Sequence, residues 1–308
     1  MRLRPAAALV LLAAGCAAAN PRVMVCWERI PDVISLGAAQ DAGFPHLGCF
    51  RACCEGARTA GRREPVAALG IVGESGWWLV DATPDLPQQV HQMGSLPQGI
   101  LLTHAHVGHY TGLMYLGREG LNAQRMPVYC SEKMAEFLRA NAPWDQLVRL
   151  ENIEIRPFQT GEILTPDPWI QIEPIAVPHR NEYADTHALG IMLQDRRPLL
   201  YMPDLDRWES GWSQDPGALL NRFPTLVLDG TFYSADDLPG RDMSEIPHPP
   251  VVTTLEFLQR LGVPHQLWFT HLNHTNPLWD PHSAAAQEAQ RIGYSVARSG
   301  AQLSYFLP

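Results

Sequence analysis

The sequence predicts a strand-rich α/β fold, and three observations carry the prediction. Short runs rich in Val, Ile, Leu and aromatic residues recur from Val33 onward and stop at Gly, Pro or Asp. Fewer segments show apolar residues three and four apart, the spacing of a helix with one buried face. A content of 27 prolines and 24 glycines favours many turns over a helical bundle. The 308 residues, 46% hydrophobic and 18% charged, supply a large core and exclude a disordered chain. The formal charge of −9, without any basic run, argues against a general nucleic-acid binder. No linker or repeat interrupts the pattern, so residues 33–308 read as one domain.

The first 19 residues read as an export signal. Arg2 and Arg4 precede an apolar run, Pro5 to Ala14, that is shorter than the ~20 residues of a spanning helix. Leu12-Ala13-Ala14-Gly15-Cys16 resembles a bacterial lipobox in which Cys16 is lipidated; ordinary cleavage after Ala17-Ala18-Ala19 is the alternative. Either implies an exported protein, periplasmic or anchored in the envelope membrane by lipid alone. Strands are expected over Val33–Gly37, Val66–Val72, Trp77–Asp81, Gly99–Thr103, Pro127–Cys130, Ile153–Pro157 and Ile170–Val177. Further strands are expected over Ala188–Leu193, Pro198–Met202, Thr225–Leu228, Gln266–Thr270 and Gln302–Phe306. Helices are expected over Glu132–Ala140, Val251–Leu261 and Ser283–Ile292.

Twelve histidines and six cysteines stand out, since these side chains bind transition metals. The run Gly99–Thr103 leads straight into His104-Ala105-His106-Val107-Gly108-His109. In an extended segment residues two apart point the same way, so His104 and His106 can meet one ion. His109, opening the next helix-like stretch, reaches the same pocket from another side. Three imidazoles within six residues at a strand end are a specific metal signal.

Thr103-His104-Ala105-His106-Val107-Gly108-His109 resembles the H-x-H-x-D-H signature of the metallo-β-lactamase fold. The resemblance implies a four-layered αββα sandwich, two mixed β-sheets flanked by helices. It also implies further ligands at later strand ends: His179, Asp204 as the bridging carboxylate, and His271. Gly108 stands where the family carries an aspartate that binds the second ion, which leaves His109, His271 and Asp204 for that ion. Asp206, Glu182 and Asp229 are the carboxylates considered as substitutes, each read first as a hydrogen-bonding residue behind a ligand.

Gly37-Ala38-Ala39-Gln40-Asp41-Ala42-Gly43-Phe44-Pro45, Val227–Tyr233 and His271–Leu278 resemble the PqqB branch of that fold, which is related to cyclic phosphodiesterases and tRNA 3′-end nucleases. Members of the branch largely lack the first two motif histidines, and this chain keeps both. In relatives a C-x-C-x-x-C segment and a histidine three residues after the last catalytic histidine hold a structural zinc. The counterparts are Cys49, Cys53, Cys54 and His274, with Arg51 in the middle cysteine's place. A disulfide is the alternative for these cysteines in an oxidising compartment. His248 resembles a substrate-pocket histidine. The implied activity is a metal-dependent hydrolase acting on a small molecule, a phosphodiester or related ester. It would use one or two catalytic ions, zinc with manganese or iron as alternatives. A PqqB-type Fe(II) oxygenase and a non-catalytic metal-binding or ligand-binding envelope protein are the competing readings. Trp144, Trp208 and Trp212 are candidates either to line the substrate groove or to pack beneath its loops.

Overall fold

Side chains alternate along a strand, so a strand buried on both faces needs a cover on each side. The computed structural model, which describes residues 30–238, 240–242, 246–262 and 265–305, provides those covers as four layers. One sheet has six strands in sequence order: β1 (Asp32–Gly37), β2 (Ala68–Val72), β3 (Trp77–Val80), β4 (Ile100–Leu101), β5 (Met126–Ser131) and β6 (Ile153–Phe158). The other has seven: β7 (Leu164–Asp167), β8 (Ile170–Ala176), β9 (His187–Leu193), β10 (Leu199–Met202), β11 (Thr225–Asp229), β12 (Gln266–Thr270) and β13 (Tyr294–Val296). Both are mixed in the same way. β1 to β3 pair antiparallel and β3 to β6 parallel; β7 to β10 pair antiparallel and β10 to β13 parallel.

The eight α-helices are α1 (Ala52–Thr59), α2 (Leu86–Met93), α3 (Val107–Tyr110), α4 (Glu132–Ala140), α5 (Trp144–Arg149), α6 (Pro216–Leu220), α7 (Val251–Leu261) and α8 (Ala284–Ile292), among the described residues. In β3, Trp77 and Leu79 face α2 to α5, where Leu86, Leu138 and Leu147 meet them. Trp78 and Val80 face the other sheet and join Ile172, Leu189, Ile191 and Tyr201. On the far side Leu200, Leu228 and Phe269 pack against Leu219, Val251 and Ala289 of α6, α7 and α8. The order is therefore helix, sheet, sheet, helix, as the motif resemblance implies. No described helix is long and apolar enough to cross a membrane.

One expectation needs correction. Gln302–Phe306 forms no strand among the described residues. Only an isolated bridge joins Gln302 to Ile34, because the chain turns through Gly300 at φ +88° as it passes the edge of β1. Of the two roles open to the tryptophans, packing is the one observed. Trp208 is 4% exposed, stacks at 4.7 Å on Phe257 and at 5.8 Å on Trp212, and donates its indole N–H to Thr254. Trp144 lies edge-on to Tyr110 at 5.1 Å. The export segment, with Cys16 and Cys26, lies outside the described residues.

Candidate metal centres

The functional side chains sit where parallel-running strands end. Through their pairings β1, β3 and β4 run one way in the first sheet, and β8, β10, β11 and β12 run one way in the second. Loops at the carboxyl ends of such strands are where open α/β sheets place ligands. Asp81 follows β3, His104 to His109 follow β4, His179 follows β8, Asp204 follows β10 and His271 follows β12.

His104, His106, His179 and Asp204 form one group in which the donor atoms all lie within 4.8 Å of one another. The tautomers follow from the partners on the far side of each ring. His104 Nδ1–H donates to Thr103 Oγ1 at 2.9 Å, and that hydroxyl donates onward to Asp81. His106 Nε2–H donates to Glu182 at 3.0 Å, and His179 Nδ1–H donates to Asp206 at 2.9 Å. With those protons committed, the lone pairs of His106 Nδ1 and His179 Nε2 face each other at 3.2 Å, an arrangement that a cation between them resolves. Asp204 Oδ1 stands 3.5 Å from His179 Nε2 and 3.9 Å from His104 Nε2. Burial, and then the neighbouring His109, push the pKa of His104 well below its ordinary value and keep the ring a neutral donor.

A second group gathers around His109 and His271. His109 Nδ1–H donates to Asp81 at 2.8 Å, and His271 Nδ1–H donates to Thr231 Oγ1 at 3.0 Å, which donates in turn to Asp229. Their free Nε2 atoms lie 3.3 Å and 3.6 Å from the Asp204 carboxylate. The structure adds a carboxylate that sequence reasoning missed. Asp41, on the turn after β1, places Oδ1 3.5 Å from His109 Nε2 and 3.7 Å from His271 Nε2. A glycine in a ligand position, together with an aspartate in the loop after β1, was the available signal. Burial opposes a charge on His109, yet Asp204, Asp81 and Asp41 outweigh it and push its pKa up to about 10. An incoming cation would have to displace that proton, so metal uptake at this group is expected to strengthen as pH rises, read by chelator competition at two pH values.

Five donor atoms across both groups are buried with no hydrogen-bond partner: Asp41 Oδ1, His104 Nε2, His109 Nε2, Asp204 Oδ2 and His271 Nε2. Leaving so many polar atoms unpaired in one place is costly unless cations fill the gap. The donor set therefore fits two divalent ions. Backbone strain points to the same spot: Asp81, His248 and His271 all hold left-handed φ angles, of 65°, 79° and 60°. Asp81 grips both His104 through Thr103 and His109 directly. Asp81→Ala is expected to weaken metal binding at this centre about 10–100-fold, read by competition with a coloured chelator.

Asp206, Glu182 and Asp229 hold histidines from behind, as hydrogen-bonding residues. His248 lies with Asp204 and His271, its Nδ1–H donated to Asp229 Oδ2 at 2.6 Å.

Away from the histidine centre, Cys49, Cys53, Cys54 and His274 also converge, with donor atoms within 4.8 Å of one another and all three cysteines free. The observed Cys53 Sγ to Cys54 Sγ distance is 3.9 Å, and His274 Nδ1 stands 3.7 Å and 3.5 Å from those sulfurs. In a tetrahedral zinc site with bonds of ~2.3 Å to sulfur and ~2.0 Å to nitrogen, the edges are about 3.8 and 3.5 Å. Cys53, one step along α1 from Cys54, fills the place that Arg51 vacates. Burial, with His46 and Arg51 nearby, lowers His274 to about 4 and keeps it neutral. The His46 backbone N–H donates to Cys54 Sγ at 3.3 Å. The chain between β1 and α1 is bonded to the segment after β12: Leu272 N–H reaches Ala38 O at 2.7 Å, Gln40 N–H reaches Leu272 O at 3.0 Å, and Asn273 Nδ2–H reaches Gln40 Oε1 at 2.7 Å.

Comparisons with known proteins agree with this layout. A family model described as a beta-lactamase superfamily domain matches residues 76–272. The coenzyme PQQ synthesis protein B of Ruegeria pomeroyi is 27% identical over 306 residues, covering 88% of this chain and 99% of that protein. The crystal structure of Zn(2+)-bound PqqB from Methylobacterium extorquens superimposes with a TM-score of 0.75 at 21% identity, over 89% of this chain and 99% of that one. A diphosphatase of the PhnP family superimposes with a TM-score of 0.65 at 20% identity, over 90% of this chain and 98% of that one. At these identities the two structures are evidence of shared fold.

Proposed function

Because this chain belongs to the β-lactamase superfamily, we propose that it is a metal-dependent hydrolase of a small phosphodiester or related ester. The observation that carries the reading is the set of five buried, unpartnered donor atoms converging on one pocket. Divalent ions held by His104, His106, His179, Asp204, His109, His271 and Asp41 would lower the pKa of bound water and polarise the scissile group. Everything else falls to the chain's own residues. Asp204, fixed between His179, His109 and His271, orients the attacking water. His248, buried and bonded to Asp229, is placed to give a proton to the leaving oxygen. Arg180, half-exposed beside His179 and only loosely paired with Glu182 at 3.9 Å, meets the anionic part of the substrate. Exposed Val107 and Tyr183 give the rim an apolar side for an organic substituent.

The cysteine cluster holds a structural zinc, and the histidine centre holds zinc, with manganese or iron as alternatives. The similarity to PQQ synthesis protein B over most of both chains favours a second reading, Fe(II)-dependent oxygenation on the same donors. The N-terminal segment exports the protein to the bacterial envelope, where lipid at Cys16 is the only contact proposed with the membrane and nucleic acid is not a partner.

The test is hydrolysis of bis-p-nitrophenyl phosphate by the metal-loaded protein, with metal content measured alongside. Activity is expected in wild type and is expected to vanish in His104→Ala together with metal from the histidine centre. Activity surviving His104→Ala would reject the mechanism. Iron-dependent oxygen uptake without hydrolysis would favour the oxygenase. Metal bound without either reaction would favour a binding protein.

A further inference from the structure

We propose that Asp41 is the carboxylate ligand of the second ion, doing from the turn after β1 what the motif aspartate does at the position of Gly108. The inference rests on the reading of the histidine centre as an ion site. A glycine in the motif taken alone signals a lost ligand and an impaired site. The structure gives a different reason for it. A β-carbon at residue 108 would fall on Asp41 Oδ1 and lie 2.8 Å from Asp41 Cα and Cγ. Asp41 and any side chain at 108 therefore compete for one volume, and the glycine is the steric counterpart of the aspartate.

The position also meets the geometric demand. Asp41 Oδ1 is buried and unpartnered, 3.5 Å from His109 Nε2 and 3.7 Å from His271 Nε2. Donors at ~2.1 Å from one ion lie about 3.0–3.4 Å apart, so a small inward movement of each completes the set. Asp204 closes it from the other side, at 3.3 Å and 3.6 Å from the same two nitrogens. The ion thus keeps two histidines and two carboxylates, the donor and charge count of the motif, with one ligand relocated along the chain. Backbone bonds fix the turn that carries Asp41, since Gly43 N–H bonds Gln40 O at 2.7 Å and Ala39 bridges both Val66 and Leu272.

The test compares wild type, Asp41→Ala, Asp41→Asn, Gly108→Asp and the double variant Asp41→Ala/Gly108→Asp. Zinc is counted by mass spectrometry, and the visible spectrum is recorded after cobalt loading. Asp41→Ala and Asp41→Asn are expected to hold one ion fewer per chain, with affinity for that ion reduced beyond the ~10–100-fold that follows loss of a partner behind a ligand. Gly108→Asp alone is expected to lose the ion as well, because two side chains then contest one space. The double variant is expected to return to within about tenfold of wild type, a non-additivity that two unrelated sites would not show. Retention of the full ion count and cobalt spectrum in both Asp41 variants would overturn the proposal. No ion in the histidine centre of wild type would instead overturn the reading on which it rests. Asp41→Asn keeps the size of the side chain, so a folding defect confined to Asp41→Ala leaves the outcome readable.

Discussion

His248→Ala is expected to reduce turnover of the phosphodiester by about 10²–10⁴-fold, the usual worth of a general acid, while every ion stays bound. Three features place the residue in that role. It is 4% exposed, its Nδ1–H is held by Asp229 at 2.6 Å, and its ring stands 5.3 Å from His179 and 5.4 Å from His271. Asp229 is itself fixed by the backbone N–H groups of Leu205 and Thr231 at 3.0 and 2.9 Å. Burial works against the imidazolium, but the Asp229 carboxylate outweighs it and holds the pKa of His248 above its ordinary value. The protonated acid therefore survives to higher pH than a free imidazole, and activity should fall as pH rises through the raised pKa. Asp229→Asn removes the supporting charge and should move that falling limb to lower pH. Stopped assays across pH, with metal counted in each variant, check both statements. A His248→Ala enzyme that turned over like wild type, or that lost ions, would remove the residue from proton transfer.

Cys54→Ser should abolish the ion at the cysteine cluster and lower stability by more than about 4 kcal/mol, in the range reserved for lost metals and disulfides. Cys54 is fully buried, and burial pushes its thiol up to about 12, so without a cation it stays protonated and contributes little. Urea unfolding with and without a strong chelator measures the difference. A chelator should bring wild type close to Cys54→Ser, whereas a reductant without chelating power should leave wild type unchanged because the three thiols are free. Stabilisation lost to the reductant instead would restore the disulfide reading.

What the sequence made legible was governed by how local the cause was. Glu132–Ala140 and Val251–Leu261 form as expected, because their apolar residues recur at helical spacing and Ser131 and Gly262 mark a start and a stop. His104 and His106 were legible because strand geometry aims residues two apart the same way, and His179, Asp204 and His271 through the resemblance of the motif to the metallo-β-lactamase fold. Elements whose reason lies elsewhere in the chain escaped. β7, Leu-Thr-Pro-Asp, is not among the expected strands, having a proline and no run of β-branched or aromatic residues, and forms beside β8. β13 has three residues and exists through its pairing with β12. α1 carries cysteines, a glycine and an arginine without an apolar stripe, and only Cys54 and Ala57 bury against the core. Asp41 escaped for the same reason, since Gly108 marks a missing ligand without saying where its replacement stands. Its partners are His109 and His271, which approach it through the meeting of two sheets that no local pattern encodes.

The same two stretches of chain serve both metal centres. The segment from Asp41 to Cys54 gives one side chain to the histidine pocket and three to the cysteine cluster, and His271 and His274 divide the other stretch in the same way. Because backbone bonds from Leu272 to Ala38 and Gln40 lock the stretches together, a cation held at the cysteine cluster would also brace the distance between Asp41 and His271. Emptying the cysteine cluster would therefore loosen the histidine pocket as well, without touching any of the pocket's own donors.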